Sequence, residues 1–212
     1  MLVDSNKKTR ELGYANLWSL EEHNKLTAAD IAEFLKEKDN MMLHKFAIQS
    51  VGRSKDSKSF GCLKNYFEEC NDLIMLMECI DSFCLIEDSF FIDAVLKKLG
   101  YKKSLLGSDY KSNDKTWKSS ESVRSFLMTN ALKYFATCLD KKFSGLIEEI
   151  VTTTIGATRW YALKAIADRE LDIKQSILED VLNNDTKLNN KKQAALLLDM
   201  RFGVEDELNK LD

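Results

Sequence analysis

The segment from Thr158 to Leu182, TRWYALKAIADRELDIKQSILEDVL, has relatives at intervals of about 31 residues along the chain, and that recurrence limits the fold more than composition does. The segment reads as two short helices folded back on each other. Tyr161, Ala162, Leu163, Ile166 and Ala167 make one apolar stripe at helical spacing. Ile173, Ile177, Leu178, Val181 and Leu182 make a second. Asp172 stands where an N-cap would open the second helix.

With Ala162 as anchor, the second stripe is centred on Ile177, fifteen positions on. Ala131 in NALKYFATCL lies 31 residues earlier, and Leu146 of LIEEIV again follows by fifteen. Ala194 lies 32 residues after Ala162, with Glu207, Leu208 and Leu211 as a shortened second helix. Ala47 in HKFAIQSVGR and Cys79 in MECIDSFCL are 32 apart, and CLKNYF from Cys62 and AVLKKL from Ala94 hold the second-helix places. Asn16 precedes Ala47 by 31. It is followed by a first helix around Leu17 and Leu20 and a second through Ile31, Phe34 and Leu35, which Thr27 and Asp30 would open as a capping pair. A small residue at most anchors suits a place where two helices cross closely.

One interval, from Cys79 to Ala131, is 52 residues. The surplus of about 21 falls on Gly100 to Ser120, GYKKSLLGSDYKSNDKTWKSS, whose Gly, Ser, Asn and Asp content is that of a loop. The chain contains no proline, where average usage of about 5% would supply roughly ten. An all-α chain forming one domain over residues 1–212, with a loop inserted at about 100–120, is the expected organisation.

The hairpins resemble HEAT-like repeats of the short variety, about 30 residues long, also seen in phycobilisome lyases. Lys45 to Phe67, KFAIQSVGRSKDSKSFGCLKNYF, carries the likeness best, and Tyr161 to Leu182 comes next. The arginine or proline often found in such helices is missing or replaced here. The resemblance implies a right-handed α-solenoid of about six hairpins, in which the second helix of each lines a concave surface. Such scaffolds serve many unrelated proteins, so the likeness speaks to fold more than to function.

The residues announce no chemistry. Cys62, Cys70, Cys79, Cys84 and Cys138 form no CxxC pair and read as reduced, buried thiols. His23 and His44 stand apart from any Cys, Asp or Glu at metal-ligand spacing. No nucleotide, hydrolase or zinc-protease motif occurs, so no catalytic residue, cofactor or metal is assigned. There is no signal peptide and no apolar run of about 18 residues, which points to a cytoplasmic protein without a membrane span.

What recurs on the polar side of the second helices is acid: Glu33 and Glu37, Glu68 and Glu69, Asp93, Glu148 and Glu149, Glu179 and Asp180, and Glu205 to Glu207. Lys64, Lys97, Lys98 and Lys174 interrupt the series. In the implied solenoid this makes the inner face acidic, repelling phosphate backbones and attracting basic proteins. With 31 basic and 34 acidic residues and a net charge of -3, the chain lacks the basic balance of a nucleic-acid binder. The 100–120 stretch is locally basic. Its Lys102, Lys103, Lys111, Lys115 and Lys118, interleaved with Tyr101, Tyr110 and Trp117, suit nucleic-acid binding by stacking and phosphate contact, an interface anchored by Trp117, or a plain connector.

The expected function is a non-enzymatic protein that binds a basic protein partner through Glu68, Glu69, Asp93, Glu148, Glu149, Glu179, Asp180 and Trp117. A bacterial immunity protein neutralising a toxin, such as a nuclease, is the sharpest form of it. The alternatives are a HEAT-like enzyme, either a DNA-repair glycosylase or a chromophore lyase, and a generic assembly adaptor. For a glycosylase, Arg159, Trp160 and Asp168 are close in sequence, but helix surface and core explain them more simply.

Overall fold

A computed structural model describes residues 13, 16–19, 26–37, 40–103, 110–112 and 121–204, with backbone alone at 101–103, 110–112 and 121–124. Among the described residues the regular structure is helical apart from one short pair of strands. The chain divides into two compact units, Met1–Ile86 and Glu87–Asp212.

The first unit holds α1 (Ala28–Lys36), α2 (Met41–Ser54), α3 (Phe60–Glu69) and α4 (Leu73–Ile86). Thr27 and Asp30 form the capping box expected of them: the Thr27 hydroxyl accepts from Asp30 N, and the Asp30 carboxylate accepts from Thr27 N at 2.8 Å. Ile31 and Leu35 bury the inner side of α1. The helix α2 packs lengthwise on α4. Lys45 Nζ lies 2.5 Å from Glu78 Oε1, Gln49 Nε2 donates to Glu78 Oε2 at 2.9 Å, and Ser82 Oγ donates to the Ile48 carbonyl at 2.9 Å. Residue numbers rise together along both helices, so the two run parallel. At the closest approach Gly52 lies against Ser82, and a Cβ on Gly52 would stand 2.9 Å from Ser82 Cβ, leaving no room for one.

The second unit holds α5 (Ile92–Lys98), β1 (Tyr101–Lys103), β2 (Tyr110–Ser112), α6 (Glu121–Cys138), α7 (Ser144–Thr153), α8 (Gly156–Arg169), α9 (Gln175–Asn184) and α10 (Leu188–Phe202). Here α6 packs on α8 and α8 on α10, while α7 and α9 pack against them and each other. Thr129 and Thr158 share a hydrogen bond at 2.8 Å, Arg169 Nε donates to the Leu139 carbonyl at 2.9 Å, Arg201 reaches the carbonyls of Ile166 and Leu171, and Asn190 reaches that of Gly156. These contacts, like Gln49–Glu78 and Ser82–Ile48 in the first unit, join residues 29 to 35 apart in sequence. Within each unit, then, long helices pack side by side: α2 on α4 in the first, and α6 on α8 and α8 on α10 in the second.

Five of the six anchors are fully buried: Ala47, Cys79, Ala131, Ala162 and Ala194 each have no exposed surface. Asn16 departs from the series, because its side chain is exposed and the neighbouring Leu17 takes the buried place. Leu20, His23, Glu205, Glu207, Leu208 and Leu211 lie outside the described residues.

Three sequence expectations are corrected in detail. The connection after Gly100 is not loop throughout, since β1 and β2 pair antiparallel with Tyr101 opposite Ser112 and Lys103 opposite Tyr110. The helix after Asp172 is capped at Lys174 instead, and Asp172 N–H donates to Ser144 Oγ at 2.9 Å. The cysteines are free thiols, but only Cys79 is buried and the others are half-buried. Burial pushes the Cys138 thiol up to about 11, so it stays protonated and inert at neutral pH.

The turns that lead into α3, α5 and α7 follow a rule. Asp56, Asp88 and Asp140 each accept, through the carboxylate, the backbone N–H two residues on, opening a one-turn 3₁₀ helix that leads into α3, α5 and α7. Lys55 and Glu87, just before two of these aspartates, take left-handed conformations at φ 52° and 60°. Each such cap contributes about 1 kcal/mol by satisfying a backbone donor that the helix cannot.

Candidate partner-binding surface

The carboxylates expected to form one row fall in both units. Glu68 and Glu69 close α3 in the first unit, Glu68 half-buried and Glu69 exposed. In the second unit Asp93 is exposed on α5, Glu148 and Glu149 are half-buried on α7, and Glu179 and Asp180 are exposed on α9. Trp117 lies outside the described residues.

Helices α7 and α9 are packed neighbours, so the structure brings these two pairs onto adjacent elements. Their apolar residues explain why the acids face outward. Leu146, Ile147, Ile150 and Val151 on α7, and Leu178, Val181 and Leu182 on α9, are buried, which leaves the intervening positions toward solvent. The pairs are staggered. Glu148 sits at the start of α9, accepting from Lys174 N at 2.8 Å and from Lys174 Nζ at 3.1 Å. Glu179 follows Lys174 by five residues, roughly 7 Å along the axis at 1.5 Å per residue.

Lys174 therefore does more than interrupt the acidic series, because it neutralises Glu148 directly. Among the described residues no cation pairs with the other three. Glu179 accepts from the Gln175 amide and Asp180 from the Asn184 amide, each at 2.8 Å, and both bonds leave the charge in place. Partial burial raises the Glu149 carboxyl above its ordinary range, since no donor offsets the loss of solvent.

Beside these acids lies a polar network that sequence reading did not find. Arg159 Nη1 lies 2.5 Å from Asp185 Oδ2, Asn190 Nδ2 donates to the same oxygen at 3.0 Å, and Lys187 N donates to Oδ1 at 2.7 Å. Arg159 Nε also donates to the Val151 carbonyl at 2.9 Å, tying α8 to the end of α7. Burial would raise Asp185, but the bonds from Lys187, Asn190 and Arg159 outweigh it and hold its carboxyl below the ordinary value. Both side chains thus hold α7, α8 and the turn between α9 and α10 together. Trp160 stacks edge-on against Tyr161 with centroids 4.8 Å apart, and Asp168 pairs with Lys164 at 2.9 Å.

In the first unit His44 is held between two partners. Its Nδ1 lies 2.9 Å from the Tyr66 hydroxyl and its Nε2 lies 2.5 Å from the Glu37 carbonyl. Nε2–H donates to the carbonyl and Nδ1 accepts from Tyr66, so the ring knits the ends of α1, α2 and α3 together. No spacing in the sequence marks a pair 22 residues apart as partners. The aspartate caps were also missed, though a signal was present, since Asp56, Asp88 and Asp140 follow Ala47, Cys79 and Ala131 by nine residues each.

Among the described residues no group of three or more His, Cys, Asp or Glu side chains could hold a metal ion, and no helix is long and apolar enough to cross a membrane. Comparison with family models, with curated proteins and with solved structures gave no match to this chain.

Proposed function

We propose that the protein is a non-enzymatic binding protein built from HEAT-like repeats, whose second helices present carboxylates to a basic protein partner. The observation that carries this reading is the exposure of Glu179 and Asp180 on α9, beside Glu149 on the packed neighbour α7, without a cation on any of the three. A surface of this kind accelerates encounter with a basic protein and repels nucleic acid. The sharpest form is a cytoplasmic immunity protein that occludes a basic toxin, such as a nuclease. There the acids would stand where the toxin's own phosphate-binding groups must dock.

Charge reversal tests it. Glu179→Lys with Asp180→Lys changes exposed side chains only and leaves the Lys174–Glu148 pair intact. Association with the cognate partner should slow at least about tenfold at low salt, and the dependence of the rate on ionic strength should flatten. Unchanged association kinetics and salt dependence would remove these carboxylates from the interface.

A further inference from the structure

The first unit carries a second surface, apart from the carboxylate pairs of α7 and α9. One turn before Lys45 and Glu78, whose ion pair sets the α2–α4 register, stand Met41 and Ile74. Met41 is 47% exposed, Met42 58% and Ile74 59%. Met42 also lines a cleft with Trp18, Lys45, Phe46 and Gln49. Trp18, itself 40% exposed, rests edge-on against Phe46 with centroids 5.0 Å apart, and the Arg53 guanidinium lies 4.4 Å over its ring. Four large apolar side chains thus face solvent on one end of one unit, where a surface has reason to shed them.

The rim of this patch is acidic. Glu37 ends α1, and its carbonyl is bound by His44 in the first turns of α2. Glu69 ends α3, one turn beyond the Tyr66 that binds His44. Asp72 caps α4 two residues before Ile74, accepting from Met75 N at 3.0 Å. All three side chains are exposed, and no ion pair among the described residues engages them. Two cations stand at the patch, Lys45 paired with Glu78 and Arg53 over the Trp18 ring, against the four carboxylates of Glu37, Glu69, Asp72 and Glu78, so the balance stays acidic.

We infer that this surface docks an amphipathic helix of a partner protein, with aliphatic residues on one face and Lys or Arg flanking it. Charge complementarity selects a basic segment, and the same charges repel an anionic membrane surface. The patch offers side chains and no free strand edge, so the incoming backbone must satisfy its own hydrogen bonds, which a helix does. Methionine and tryptophan supply the adaptable apolar floor that such helices use.

The test uses a fluorescein-labelled Leu/Lys peptide of about five helical turns with all Leu on one face. A Leu/Glu peptide of the same pattern and a Leu/Lys peptide with the Leu dispersed are the controls. The amphipathic Leu/Lys peptide should bind saturably by anisotropy, and neither control should. Met42→Asp or Ile74→Asp should weaken binding at least about tenfold, as at an interface hot spot, whereas Glu179→Lys with Asp180→Lys should leave it unchanged. If the Asp variants lose their helical circular dichroism, Glu37→Lys with Glu69→Lys, both at exposed positions, carries the test and should weaken binding and its salt dependence together. Equal binding of the Leu/Glu peptide, or parental affinity in all these patch variants, overturns the inference. A loss confined to Glu179→Lys with Asp180→Lys also overturns it, while supporting the surface on α9. A parent that sediments as a dimer, and becomes a monomer with Met42→Asp, assigns the patch to a second copy of this chain and overturns it too.

Discussion

Replacing Asp185 by Ala probes the junction that positions the acidic helices. The carboxylate accepts from Arg159, Asn190 and Lys187 N, and its side chain is 3% exposed against 13% for Arg159. Its removal leaves Arg159 bound to the Val151 carbonyl and Asn190 to that of Gly156, at 2.9 and 3.2 Å. Breaking one side of a buried pair costs about 3 to 5 kcal/mol, because the remaining charge keeps its desolvation penalty. For a unit of this size each kcal/mol lowers the midpoint by roughly 4 °C, so a fall of about 12 to 20 °C is expected. The unit can be followed by Trp160 fluorescence in a Trp18→Phe, Trp117→Phe background, with urea unfolding giving the free energy. Adding Arg159→Met should cost less than the sum of the single changes, by about 0.5 to 3 kcal/mol. The pH dependence has a definite sign. Asp185 is held below its unfolded value, so its contribution is full above that value and is lost as pH falls through the folded one. Asp185→Asn should therefore flatten the acid limb of the stability curve. A loss below about 1 kcal/mol for Asp185→Ala, with an unchanged acid limb, would refute this reasoning.

Other positions make separate predictions. Ala162→Leu adds three heavy atoms at a site with no exposed surface, and should destabilise by about 1 to 3 kcal/mol in urea melts; parental stability would mean the anchor is not closely packed. Gly52→Ala should cost a similar amount of about 1 to 3 kcal/mol, because its Cβ would fall 2.9 Å from Ser82, and Ser82→Gly should relieve much of it in the double variant. Glu149→Gln should separate stability from binding. Burial raises the Glu149 carboxyl, so ionisation lowers stability as pH rises through the window between its unfolded and folded values. The Gln variant should be at least as stable as the parent at neutral pH, yet associate more slowly with a basic partner. A destabilised variant would contradict the assigned cause.

The all-helical class and much of the burial pattern were legible from apolar spacing. A burial pattern repeated at 31 or 32 residues located Ala47, Cys79, Ala131, Ala162 and Ala194, all of which are fully buried. Thr27 and Asp30 were readable as a capping box because that motif acts over three residues. Asn16 misled because spacing alone placed it, with no apolar stripe behind it. Asp172 misled because Ser144, 28 residues away, takes its backbone N–H. The candidate surface was legible only as a list of acids. Lys174 was counted as one interruption among several, and its pairing with Glu148 depends on where α9 starts beside α7. The exposed patch of Met41, Met42 and Ile74 was hidden for a related reason: an apolar residue at a helix start reads as core, and only the packed helices show that these three side chains are exposed.

The central claim is that Glu149, Glu179 and Asp180 recruit a basic protein. The most direct measurement compares two immobilised baits, the parent chain and Glu179→Lys with Asp180→Lys, by quantitative mass spectrometry of proteins retained from the native host. The captured candidate is then purified and its association rate measured across ionic strength. The account predicts a basic protein held by the parent and lost from the reversed bait, with a rate that falls steeply as salt rises. The same proteins on both baits, with rates indifferent to salt, would contradict it.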